Sequence, residues 1–109
     1  MALPVRITLS SATSSKVVPL NLQGQSPFNV GIGVAVAAGS TLTYTVEHTF
    51  DDVFANNFDA STATWYPNSG LTAQTASKDG NYAYPITGVR LRVSAWTVGS
   101  ATITILQAV

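Results

Sequence analysis

Apolar residues alternate with small or polar ones through both ends of this chain. A period of two fits only extended backbone that buries one of its faces. Val5, Ile7 and Leu9 alternate with Arg6 and Thr8. After the polar run from Ser10 to Ser15, Val18, Leu20 and Leu22 alternate again; Pro19 lacks a ladder donor and so assigns that segment to an edge or a bulge. In a third run Phe28, Val30, Ile32, Val34 and Val36 share one face, with Asn29, Gly31, Gly33, Ala35 and Ala37 on the other. Two glycines on one face predict a close neighbour there, such as a packed ring or another chain. Ala38-Gly39-Ser40 turns into a fourth strand, in which Leu42, Tyr44, Val46, His48 and Phe50 oppose Thr41, Thr43, Thr45, Glu47 and Thr49. Near the C-terminus Val89, Leu91, Val93 and Ala95 face away from Arg90, Arg92, Ser94 and Trp96. A turn at Val98-Gly99-Ser100 then leads back through Ala101, Ile103 and Ile105.

The alternation fails between Phe50 and Ile86, a stretch that holds seven of the ten aromatic residues: Phe50, Phe54, Phe58, Trp65, Tyr66, Tyr82 and Tyr84. Phe50, Val53, Phe54 and Phe58 have helical spacing, and Asp51 and Asp52 stand where a first helical turn favours negative charge, which predicts one short helical turn. Short strands are expected over 62–66 and 71–75, with turns at Pro67-Asn68-Ser69-Gly70 and Lys78-Asp79-Gly80-Asn81. The stretch then reads as an aromatic-rich excursion that rejoins the sheet at Pro85. The whole chain, 1–109, is expected to form one all-β domain. Its architecture should be a small antiparallel β-sandwich or barrel-like fold of about six to eight strands, with very little helix.

Charged residues are 9% of the chain, against about 25% in ordinary soluble domains. Five basic residues balance five acidic ones, so no net field would draw in nucleic acid or an anionic membrane. No apolar stretch approaches the roughly 20 residues of a membrane-crossing helix, and the first residues lack the pattern of a secretory signal. So sparse a polar coat suits a subunit whose surface is covered by neighbours.

Candidate chemistry is thin. Without cysteine there is no disulfide or thiolate site, and a single histidine leaves few ligands for zinc; neither a metal nor any other cofactor is expected. His48 shares a face with Val46 and Phe50, which favours a hydrogen-bonded histidine at the edge of the core. Serines are plentiful, but no Gly-x-Ser-x-Gly elbow is present. Of the five carboxylates, Asp51, Asp52, Asp59 and Asp79 sit in or beside expected turns, where aspartate bends backbone; a hydrolytic pair or a calcium site would need them gathered by the fold. The expectation is a structural or binding protein, not an enzyme. Trp65, Tyr66, Tyr82 and Tyr84 would suit a sugar-stacking platform, although core or interface packing is the favoured role for such rings. Arg90, Arg92 and Trp96 on one face ask for acidic partners, whether in this chain or another.

Several segments together resemble small virion proteins of tailed bacteriophages: E-H-T-F-D-D from Glu47 to Asp52, then A-T-W-Y-P, D-G-N-Y-A-Y-P-I, and the ending G-V-R-L-R-V-S-A-W-T-V-G-S-A-T-I-T-I-L-Q. The likeness covers about the last sixty residues. It implies a head decoration or cement protein on the capsid surface, made in the host cytoplasm. Such a protein would form a homotrimer or other symmetric oligomer and bind the major capsid protein, without nucleic acid or membrane. A tail or neck protein and a carbohydrate-binding module are the alternatives. Expected contact residues are Leu3, Pro4, Phe54, Phe58, Trp65 and Tyr66, since termini and long loops reach outward, and Arg90, Arg92 and Trp96, since arginine and tryptophan are favoured at interfaces.

Overall fold

A computed structural model describes residues 4–20 and 29–107, and among these the alternating runs and parts of the 50–86 stretch form eight strands. They are β1 (Val5–Leu9), β2 (Val18–Pro19), β3 (Val30–Val36), β4 (Thr41–Thr49), β5 (Tyr66–Pro67), β6 (Lys78–Tyr82), β7 (Gly88–Val98) and β8 (Ala101–Gln107). They form two four-stranded antiparallel sheets, ordered β1-β8-β3-β6 and β2-β7-β4-β5. The chain is an all-β sandwich with no helix among the described residues. The apolar faces meet between the sheets: Val30, Ile32, Val34, Ile103 and Ile105 from one lie against Leu42, Tyr44, Val46, Val89, Leu91 and Val93 from the other. Leu3, Leu22 and Phe28 lie outside the described residues.

Irregular chain covers part of each flank of the second sheet and pairs with its backbone there. Along β7, Ser15 N–H donates to Leu91 O and Val93 N–H to Thr13 O, which gives the polar serine run a role beside the sheet. Along β4, Asn68 N–H donates to Val46 O, Val46 N–H to Leu71 O, and Tyr44 and Gln74 exchange bonds. Of the strands expected over 62–66 and 71–75, only β5 and an isolated bridge at Gln74 form.

Three local expectations are corrected. The short helix after Phe50 is instead a series of turns: Ala55 N–H donates to Asp52 O and Phe58 N–H to Ala55 O. Asp52 Oδ1 accepts from Phe54 N–H, and Asp59 Oδ1 from Ser61 N–H, so each aspartate bends the chain locally. Phe54 is 75% exposed, leaving no buried stripe to stabilise a helix. Lys78-Asp79-Gly80-Asn81 is not a turn but most of β6, with Gly80 opposite Ile32. A Cβ at Gly80 would lie 3.2 Å from Leu71 Cδ1, so this glycine answers to packing. On β3 the pattern is reversed: a Cβ at Gly31 would meet only Leu106 O, at 3.8 Å, and one at Gly33 no described atom within 4 Å. The neighbour expected over these two glycines is not among the described residues.

Candidate functional site

His48 lies on the inward face of β4 and Tyr82 on the inward face of β6, each near the end of its strand. Both are buried, and His48 Nδ1 shares a 2.8 Å hydrogen bond with Tyr82 Oη, a polar link between the two sheets. This is the hydrogen-bonded core-edge histidine that the alternation predicts. Burial raises the Tyr82 pKa, so the phenol keeps its proton, and burial lowers that of His48, favouring the neutral imidazole. Three further rings close over the pair. Tyr66, opposite His48 in the β4–β5 ladder, stacks on it at 5.9 Å and 26°; Phe50 and Tyr84 meet it edge-on at 5.5 and 5.7 Å. Phe50, Tyr66 and Tyr84 are 54%, 47% and 46% exposed, so this corner of the sandwich shows aromatic surface over a buried polar link.

A pH dependence follows from the buried imidazole. Because the folded pKa of His48 lies below its ordinary value of 6.5, the unfolded chain takes up a proton at a pH where the folded chain does not. Its contribution is constant above that value; stability falls as pH drops below it and levels off once the folded pKa is passed. Thermal melting from about pH 8 to about pH 5 is expected to show this decline, and His48→Gln to flatten it. An unchanged pH slope in that variant would assign the decline to other groups.

On the outer face of the same sheet the charges are paired within the chain. Arg90 stands opposite Glu47 and donates from Nε to its Oε1 at 2.8 Å; Arg92 Nη1 is 3.8 Å from Oε2. The Arg90 guanidinium lies over Trp65, 4.1 Å from the ring centroid, and Trp65 Nε1–H donates to Ala60 O. The 50–65 excursion therefore folds back across this face. For that reason Glu47 and Thr49, outward-facing in the alternation, are buried. Asp51 helps to hold the excursion, accepting from Thr64 N–H through Oδ2. Hydrogen bonds from the Ser61 hydroxyl and backbone N–H lower the Asp59 pKa. Among the described residues no group of three His, Asp or Glu side chains converges as a metal ligand set.

Of the residues expected from sequence, the corner gathers Tyr66 with Tyr82 and Tyr84 and adds His48 and Phe50. The four rings that would suit a sugar-stacking platform do not lie flat together. Trp65 is capped by Arg90 on the outer face, Tyr82 is buried, and Tyr82 and Tyr84 meet at 90°. Phe54 and Pro4 are exposed and Phe58 is half-buried. Trp96 does not share a face with Arg90 and Arg92. A register shift between Thr43 and Tyr44 brings Ala95 opposite Thr43 and Trp96 opposite Leu42, so the alternation of β7 inverts before a second shift between Thr41 and Leu42. The corner had one signal in sequence: the two aromatic-proline pairs, Tyr66-Pro67 and Tyr84-Pro85. No protein-family model, curated protein or solved structure matches the chain.

Proposed function

We propose that this chain is a structural subunit of a tailed-phage particle: a head decoration or cement protein that docks on the major capsid protein as a symmetric oligomer. One observation carries the reading. Three of the four segments that bear the phage resemblance, separate in sequence, meet at the exposed corner: E-H-T-F-D-D supplies His48 and Phe50, A-T-W-Y-P supplies Tyr66, and D-G-N-Y-A-Y-P-I supplies Tyr82 and Tyr84. Tyrosine and phenylalanine are enriched at protein interfaces, where rigid rings bury much area at little entropic loss. The low charge of the chain suits such burial. No reaction is assigned to it, and its effect on the shell is passive: binding only to the assembled state stabilises that state by mass action.

The test compares particles made with and without this chain. Shells that lack it are expected to assemble but to release DNA at a temperature several degrees lower, and Tyr66→Ala with Tyr84→Ala to reduce its occupancy on the shell. Equal heat release, or labelled electron microscopy placing the chain in the tail or neck, would replace the cement reading with the tail one.

A further inference from the structure

The end of the sandwich away from the aromatic corner carries a second feature. Leu42 and Phe50 are eight residues apart along β4 and its end, so the two regions are separated by about 26 Å of extended chain. Here an open cleft of about 340 Å³ lies between the start of β4, the crossing segment at Thr75 and the bulged part of β7. We propose that this cleft is a binding site for one neutral sugar ring, a hexopyranose, and that Trp96 is its stacking surface. The inference does not rest on the virion reading and would hold for this domain in any setting.

Four properties of the cleft converge on that ligand. Trp96 is 40% exposed, and its indole N–H is already engaged with Gly99 O at 2.9 Å; the ring is held in place without needing a ligand acceptor. An indole face so fixed suits the apolar C–H face of a pyranose. Thr41, Thr43, Thr75 and Thr97 line the rest, beside a Ser40 hydroxyl engaged with Ser100, and a hydroxyl can both donate and accept, as a sugar hydroxyl requires. No charged side chain lines the cleft, so a carboxylated or phosphorylated ligand would lose hydration and gain no counter-charge. The volume is near the lower limit of small-ligand sites, about 300–1,000 Å³, and suits one ring better than a long chain.

The bulges supply an independent reason. Two register shifts between Thr41 and Tyr44 interrupt the ladder to β7, and the one between Thr43 and Tyr44 swings Trp96 out of the face it would otherwise share with Arg90 and Arg92. Bulges occur preferentially where a strand must re-aim a side chain beside a site. Without them Thr43 would not oppose Ala95, and Trp96 would lie on the outer face of β7.

The test uses the intact protein and methyl glycosides of glucose, galactose, mannose and N-acetylglucosamine, with glucuronate as the charged comparison. Binding is read from the two indole N–H signals, Trp65 serving as the internal reference. At least one neutral glycoside is expected to bind with a Kd in the millimolar range or below, shifting Trp96 and not Trp65. Trp96→Ala, which removes the reporting signal and is therefore followed by calorimetry, is expected to abolish binding. Because that change could also loosen the hairpin, Thr43→Val, which keeps shape and removes one hydroxyl, is the second variant. It is expected to weaken binding about three- to tenfold, the worth of one neutral hydrogen bond. No binding of any neutral glycoside in the millimolar range, equal binding of glucuronate, a shift at Trp65 instead, or full affinity in Thr43→Val would each overturn the proposal.

Discussion

Arg90→Ala is expected to lower the stability of the fold by about 3 kcal/mol, the lower part of the range for removing one partner of a buried ion pair. The reason is what the change leaves behind. Glu47 is 8% exposed and, among the described residues, keeps only Arg92, at 3.8 Å, as an ion-pair partner. Arg90 itself is held between the carboxylate and the face of Trp65, so its loss also uncovers that ring. Replacing both partners, Glu47→Leu with Arg90→Met, removes the charges together and keeps apolar volume against Trp65; the double variant is expected to fall within about 1 kcal/mol of the starting protein. Arg92, more than half exposed, is a control whose change to alanine should cost at most about 0.5 kcal/mol. Urea denaturation of the three variants decides the matter. A loss in Arg90→Ala no greater than in Arg92→Ala would show that water reaches Glu47 and that the network is superficial.

That network explains why part of the fold was legible in sequence and part was not. β3, β4 and β8 read directly because each has one face against the core, and burial imposes its period on the residues. The outward face carries no such imprint. Threonine and glutamate at 43, 45, 47 and 49 look alike in sequence, yet Glu47 and Thr49 are buried because the excursion lies over them. Only a contact between Trp65 and Arg90, twenty-five residues apart, reveals this. The same limit applies to the aromatic corner, where His48, Tyr66 and Tyr82 come from three strands in two sheets. Its composition was visible, but its convergence depended on β6, whose Asp-Gly-Asn sequence carries a turn signal while its backbone pairs with β3. On β7 the alternation predicted the wrong face for Trp96, because a bulge shifts register without changing composition.

Gly99→Ala is expected to be more damaging still, at about 3–5 kcal/mol, from two causes that add. Gly99 has φ +99°, beyond the left-handed region that other residues visit, so any side chain there is strained. A Cβ at this position would also lie 2.6 Å from the Cα of Ser40. Ser40 cannot simply withdraw, because the two turns are tied together: Ser100 N–H donates to Ser40 Oγ, Ala37 N–H to Ser100 O and Ser40 N–H to Ala37 O. Gly39 separates the two causes. It has φ +80° but no described atom within 4 Å of its would-be Cβ, so Gly39→Ala should cost only the conformational part, about 1–2 kcal/mol. Trimming the neighbour with Ser40→Gly should not rescue Gly99→Ala, since the nearest backbone atom remains. Melting of the three variants, with amide exchange at Ser100 as a local reading, gives the result. Equal losses at Gly39 and Gly99, or recovery on trimming Ser40, would mean that the turns slide past one another. The end of the sandwich that holds Trp96 would then be compliant rather than fixed by its glycine.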